Sequence, residues 1–593
     1  MRKYVSRQES TLGRRRSNIP SLVCAFAASA TTGGTIYCFG VLANDLKKAL
    51  QITQMQLGAV SAAFFIAGLI SWIPGMVVDR MKMRFSMSCG GLSGATFTTI
   101  YWILCRNPGL SPFFRDHPVA VLSCLAIAIC LSCGLIVGSV FKLTLLCGGR
   151  DGKGPAVGIA KGFVGLGSGV YATLFQAIRD DNESTLDFLL VIAFFFILNA
   201  TLPALFLLPP KEESHPRLMR METTPLHFRT MYASLAVLCL FILGSAICDI
   251  WSVSDDQPKG RNFGNVLMIL ILWLGPIVSL LYLPRKREEE EEDELITEST
   301  SLLTSGNKGE ADEEDQGSPG DRSWIPDSPE EEVLPPPPKV PNVVVDFRAD
   351  LSLPEMLQTS PAWIMLCITL VLVGSGTAKT NNMGQMVEAL GFTESVTPAT
   401  LAIFSVAQAA ARISTGILSE AALKWSNVSV PSFIRAEDSN GGIPRPFFLV
   451  IACSISLLAH LLLAASTDLV SFVFGCAISA IAFGMAWPLM VLIVGDVFGV
   501  EHHGANYMFF DGGTKALGTL LLSEFLAGFV YEAHVDNQHH LDQGVDGMLN
   551  ACWGPQCFRD THLVIAGLSL ICMVASLLLC YQTRFAYGSP LAR

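Results

Sequence analysis

A charged side chain in hydrocarbon costs roughly 2.5–3.5 kcal/mol on insertion scales and usually faces a cavity. Ionisable residues inside the long apolar runs of this chain are therefore the first candidates for chemistry. Lys161, Lys379, Arg412, His460, Asp511, Lys515 and Glu524 all fall in such runs. Asp511 and Lys515 are four apart, hence neighbours on one helix face. Two readings stand: a self-neutralising pair that lowers insertion cost, or a switchable pair that opens when substrate or a proton arrives. Glu524 lies nine residues from Lys515, about half a turn round the helix, and a buried carboxyl there is a proton-site candidate. Lys379 leads into Thr380, Asn381 and Asn382, a polar cluster that a lipid-facing surface would not tolerate. Arg412 either supplies counter-charge to a ligand or anchors its helix near one face. Lys161, near the start of its helix, is placed to snorkel, and His460 reads as a packing residue. Lys379, Arg412 and Lys515 together suit a small organic anion at the membrane midplane, with Asp511 or Glu524 carrying a coupled proton.

The elements that position these residues are membrane helices. The 593 residues are 51% hydrophobic and 15% charged, against about 25% charged in soluble domains. The apolar residues cluster in runs of about 20, the length that crosses a bilayer core. Fourteen spans are expected, near 20–43, 57–78, 86–105, 118–141, 157–177, 186–208, 232–251, 264–283, 361–380, 396–419, 446–466, 469–495, 505–531 and 562–583. They group as a basic tail (1–19), a six-helix bundle (20–208), a linker with two extra helices (209–283), an acidic loop (284–355), a second six-helix bundle (356–584) and a short tail (585–593). Arg14, Arg15 and Arg16 lead straight into the first run without a cleavage-site pattern, so that run is read as a retained helix.

Net charge is −11, yet residues 284–350 hold 20 acids and 7 bases, so the acidity belongs to one loop. That loop has too few apolar residues to offset its ordering entropy and reads as disordered. With both termini in the cytoplasm, cytoplasmic segments hold 29 Lys/Arg against 8 on the other side, which satisfies the positive-inside rule. Glu298, Leu302 and Leu303 resemble an acidic dileucine sorting signal, as does 291–296. An adaptor reading them would favour a vacuolar or lysosomal membrane, with the plasma membrane as alternative. The sequon Asn182-Glu-Ser184 falls on the outer or lumenal side.

Between the second and third runs lies Gly75-x3-Asp79-Arg80-x3-Arg84. It resembles the cytoplasmic turn between helices two and three of the major facilitator superfamily, where the acid pairs with neighbouring helix ends and locks one conformation. Arg412-x3-Gly416-x3-Glu420 is its weaker echo in the last six helices. Further residues carry a closer resemblance, to the nodulin-like branch of that superfamily, itself related to monocarboxylate-transporter-like proteins of fungal vacuoles. They are Gly34-Thr-Ile-Tyr37-x-Phe39, Gly158-Ile-Ala-Lys161-Gly162-Phe163-x-Gly165-Leu166, Asn381-Asn382-Met-Gly384-Gln385, Arg445-Pro446, Gly484-Met-Ala-Trp487-Pro488-Leu489 and Cys552-x-Gly554-x2-Cys557-Phe558. The resemblance implies an all-α major facilitator fold of two six-helix bundles, here with two extra central helices.

Smaller signals complete the reading. Gly158-x3-Gly162 and Gly165-x3-Gly169 have the small-residue spacing that lets helices approach closely. Trp487-Pro488 predicts a kink that is either a gate or static. Cys552 and Cys557 share a polar loop with Asp536, His539, His540 and Asp542, and an oxidising lumen favours a disulfide there. A zinc site lacks a recognisable ligand spacing, and His502-His503 is a weaker signal still. No Gly-Lys-Ser/Thr phosphate loop, Gly-x-Ser-x-Gly or His-Glu-x-x-His occurs, which disfavours an ATP-driven pump or a hydrolase. The expectation is a secondary transporter of a small organic solute, not an enzyme, with no cofactor, metal or nucleic acid. Its partners would be lipid, substrate and a sorting adaptor. The alternative is a non-transporting nutrient sensor or scaffold that docks partners through loop 284–355.

Overall fold

The computed structural model describes residues 19–37, 42, 46, 49–52, 54–147, 149–178, 185–208, 225–251, 263–283, 350–393, 396–425, 442–541 and 552–587. The chain divides into one unit of Met1–Leu283 with Phe347–Arg593 and a second of Pro284–Asp346. The second unit, the sorting signal at Glu298, Leu302 and Leu303 and the sequon lie outside the described residues.

Each of the fourteen predicted spans is helical. They are α1 (Ile19–Tyr37), α2 (54–80), α3 (Met83–Arg106), α4 (Pro118–Cys147), α5 (Gly149–Ile178), α6 (Phe188–Leu207), α7 (Pro225–Trp251), α8 (Phe263–Ser279), α9 (Ser360–Ala389), α10 (Val396–Ala422), α11 (Phe447–Ala465), α12 (Leu469–Val497), α13 (His503–Val535) and α14 (Gln556–Thr583). Ten are long and apolar enough to cross a membrane, eleven when the two pieces of α2 count as one span. The apolar cores of α1 and α8 are short, and α3 is rich in Ser, Thr and Gly. No strand occurs among the described residues. The protein is an all-α membrane protein, as the sequence predicts.

Two prolines show how context decides the effect of a helix breaker. α2 bends by 46° between Ala59–Ile70 and Trp72–Arg80. Pro74, three residues into the second piece, cannot donate to the Ile70 carbonyl, and the chain turns there. Pro488, by contrast, lies inside α12, which continues as one helix to Val497.

The first and last six helices meet along two seams, α2 with α13 and α5 with α10. Both are lined by glycine. A Cβ on Gly158 would stand 3.1 Å from the Ile413 carbonyl, on Gly162 2.8 Å from Ile413 Cγ1, and on Gly416 2.8 Å from Gly158 Cα. On the other seam a Cβ on Gly75 would stand 2.8 Å from Ala505 Cα, and Gly68 abuts Gly512. Ser71 continues the contact by donating to the Met508 carbonyl at 2.6 Å. The glycine spacing in α5 thus serves close packing, with Gly169 turned instead toward Ile242 of α7. The extra helices cover the flank of the α5–α10 seam: α7 packs on α5 and α10, and α8 on α5 and α1. Trp273 of α8 is buried edge-to-face against Tyr171 and Phe195.

Glycine at the seam therefore predicts a stability contrast. Gly416→Leu should destabilise the protein by about 1–3 kcal/mol through overpacking and lower its melting temperature in detergent. Gly384→Ala, where nothing lies within 4 Å of an added Cβ, should leave the melting temperature unchanged or slightly raised.

Candidate functional site

Each seam ends in a carboxylate that reaches across it. Asp79, at the end of α2, accepts from the Gly504 amide at 2.9 Å and the Ala505 amide at 2.7 Å. These are unpaired donors of the first turn of α13, where a negative charge also meets the positive end of the helix dipole. Lys142 of α4 completes the group, 2.6 Å from Asp79 Oδ1 and 2.6 Å from the Glu501 carbonyl. On the other seam Glu420, at the end of α10, accepts from the Gly154 amide of α5 at 3.0 Å and from Arg445 at 2.6 Å. Arg445 Nε also lies 3.2 Å from Asp496 Oδ2, although its N–H is not aimed at that oxygen.

Of the seven lock residues read from sequence, Gly75, Asp79, Gly416 and Glu420 sit in these contacts. Arg80 is exposed and Arg84 half-buried, and neither forms an ion pair among the described residues. The cations that pair with Asp79 and Glu420 are Lys142 and Arg445. Arg412 lies higher on α10, with its guanidinium against α5. Lys142, Asp496 and Tyr507 were not singled out from sequence. Lys142 and Asp496 fall one residue beyond the predicted spans 118–141 and 469–495, where a charge at a helix end is ordinary. Tyr507 carried no signal, because tyrosine is unremarkable in a helix.

Two turns of helix inward from these contacts the seams part around a small cavity of about 60 Å³. Its lining comes from both halves: Thr32 of α1, Ser71 of α2, Phe141 of α4, Lys161 of α5, Arg412 of α10, Trp487 of α12, and Asp511 and Lys515 of α13. Lys161 is buried and does not snorkel. Its Nζ lies 3.0 Å from Asp511 Oδ1, contacts the Tyr507 hydroxyl, which in turn donates to Asp511, and stands 4.2 Å from the Phe141 ring centroid and 4.8 Å from that of Trp487. Arg412 donates to the Lys161 carbonyl at 3.1 Å and to Gln408 at 2.7 Å, with its guanidinium 5.4 Å from the Trp487 ring. His503 stacks on Tyr507 and hydrogen-bonds the Val491 carbonyl at 3.1 Å, which fixes the tyrosine ring. The cavity wall thus carries three cations, one carboxylate and aromatic faces that favour positive charge.

Asp511, expected beside Lys515 on its own helix, forms its 3.0 Å ion pair with Lys161 from the opposite half. Lys515 lines the same cavity. Lys379 is not among the cavity residues. It is fully buried within the last six helices, 2.8 Å from His460 Nε2. Asn381 and Asn382 donate to Ser523 at 3.2 and 3.4 Å, fastening α9 to α13. Glu524 is exposed, within the π-helical stretch Thr519–Ala527. The burial that made it a proton-site candidate is missing, because that turn of α13 directs the side chain outward.

Cys552 and Cys557 form a disulfide. The loop between them turns at Gly554, whose φ of +99° suits glycine, and its amide donates to the Ala389 carbonyl at 2.7 Å. Among the described residues no His/Cys/Asp/Glu group could hold a metal ion. Asp536, His539, His540 and Asp542 fall outside the described side chains.

Residues 20–280 match the family described as Nodulin-like, which bears out that resemblance over α1 to α8. Among solved structures the chain is similar to FucP, a major facilitator superfamily transporter in the outward conformation, at 12% identity and TM-score 0.47, covering 96% of this chain and 99% of that one. It is also similar to the proton:xylose symporter XylE bound to 6-bromo-6-deoxy-D-glucose, at 10% identity and TM-score 0.45, covering 94% and 93%. No curated protein matches.

The Asp79 contacts predict a local effect. In Asp79→Ala the amides of Gly504 and Ala505 lose their acceptor, a loss of about 1.4 kcal/mol by analogy with helix caps. Hydrogen exchange of the 503–506 segment should speed up about tenfold, while α14 exchanges as before.

Proposed function

We propose that this chain is a secondary transporter that moves a small organic anion, preferably a monocarboxylate, by alternating access. The observation that carries this reading is the cavity between the two halves, with Lys161, Arg412 and Lys515 on its wall and the Asp79 and Glu420 contacts closing one end. An incoming carboxylate would compete with Asp511 for Lys161. Protonation of Asp511 would release the amine to the substrate, so one proton could travel with each anion. Separating the halves must also break the Lys161–Asp511 pair, because its members stand on α5 and α13. The charge distribution supports placing the Asp79 end in the cytoplasm. The disulfide at the other end agrees with an oxidising lumen, and a vacuolar or lysosomal membrane is the favoured site.

A second reading, a nutrient sensor acting through loop 284–355, has one observation in its favour. Asp350, at the end of that loop, accepts from the Val500 amide at 2.6 Å and the Glu501 amide at 3.2 Å, and the Leu351 amide donates to Phe498. Asp350 and Leu351 are thereby tied to the turn that also receives Lys142. Deleting 290–345 separates the readings: a transporter keeps its uptake, whereas a sensor keeps ligand binding and loses its partner.

Purified protein in liposomes should accumulate a labelled monocarboxylate faster when a pH gradient drives protons in the same direction. Uptake no faster than into empty vesicles across a panel of monocarboxylates would overturn the substrate assignment. Lys161→Met should cut uptake about tenfold or more, since one charged hydrogen bond contributes about 1.5–3 kcal/mol. Asp511→Asn should keep exchange while losing its dependence on the pH gradient.

A further inference from the structure

The last six helices bury a second group of ionisable residues, apart from the cavity. Lys379 of α9 and His460 of α11 are fully buried, and His562 of α14 nearly so. Lys379 Nζ lies 2.8 Å from His460 Nε2, and His460 Nδ1 lies 3.2 Å from His562 Nδ1. The rings are 5.2 Å apart between centroids and tilted by 57°. Three bases on three helices are therefore joined end to end through the two nitrogens of one imidazole.

The charges on the packed helices do not neutralise this chain. Among the described residues no carboxylate forms an ion pair with any of the three. On α12, Cys476 is a buried free thiol, while Asp496 is engaged by Arg445. On α10, Arg412 is tied to α5 and Glu420 to Gly154 and Arg445. On α13, Asp511 is held by Lys161, and Glu524 and Glu532 are exposed. Arg559 and Asp560 of α14 are exposed too.

We propose that Lys379, His460 and His562 form a proton-binding site that shares a single excess proton. Adjacent cations at 2.8 Å without an anion would repel strongly in a medium of low dielectric, so two excess protons are not accommodated. One is accommodated anywhere along the chain. With the proton on Lys379, the amine donates to His460 Nε2, and the His460 Nδ1–H donates to His562 Nδ1. Transfer breaks one Nζ–H bond and forms Nε2–H on His460. It then breaks Nδ1–H on His460 and forms Nδ1–H on His562. One positive charge moves from α9 to α14 and nothing else is consumed. The site requires no transported solute, so it stands or falls separately from the transport reading.

The test uses full-length protein with isotope-labelled histidine in lipid nanodiscs, followed by nitrogen NMR between about pH 5 and 8. His460→Gln and His562→Gln supply the assignments, and the wild-type spectrum itself carries the result. The two imidazoles are expected to change together with one shared midpoint, and Lys379→Met is expected to shift both rings' signals at constant pH. Separate midpoints, a fixed tautomer in both rings throughout, or a Lys379→Met spectrum unchanged at both rings would each overturn the proposal. A variant that fails to fold leaves the wild-type midpoints to decide.

Discussion

The structure depends on backbone contact between helices of opposite halves, closed at one end by carboxylates on main-chain amides. Glycine on α2, α5, α10 and α13 removes the side chains that would otherwise hold the helices about 8–10 Å apart. Asp79 and Glu420 then reach across to Gly504, Ala505 and Gly154.

This arrangement also explains why the cavity can hold so many charges. Inside the lock, the two seams enclose a space whose polar groups answer one another across the halves. Lys161 would be costly to bury alone, and breaking a buried pair by removing one partner costs about 3–5 kcal/mol. Asp511, the Tyr507 hydroxyl and three aromatic rings around its amine offset that burial. Because these partners stand on different halves, electrostatic stabilisation of the site and the carboxylate–amide contacts favour the same arrangement of helices.

Much of the fold was legible from the chain. The length of the apolar runs anticipated the helices, ten or eleven of them long and apolar enough to span, and the Gly75–Asp79 and Gly416–Glu420 spacings lead to the two carboxylates that reach across the seams. The glycine pairs of α5 were read as a close helix contact, which they are. Asp511, Arg412 and Lys515, read from sequence as substrate-binding or coupling candidates, line one cavity. The partners were less legible. Arg80 and Arg84 looked like the basic members of the lock, whereas the cations paired with Asp79 and Glu420 are Lys142 and Arg445, 63 and 25 residues away from their acids. Lys379 looked like a ligand-binding charge and instead joins His460 in the bundle interior, while Glu524 faces outward.

The sequence by itself determined which segments are helices, where they can approach closely, and which side chains carry charge into an apolar setting. Those properties follow from residue type and from spacing along one helix. Only the tertiary structure decided which charge meets which, because Lys161 and Asp511 stand 350 residues apart and are brought together by packing between halves. Helical spacing orders neighbours on a single face. It carries no information about the face opposite, and that is where the Gly75–Asp79 turn finds the amides it binds.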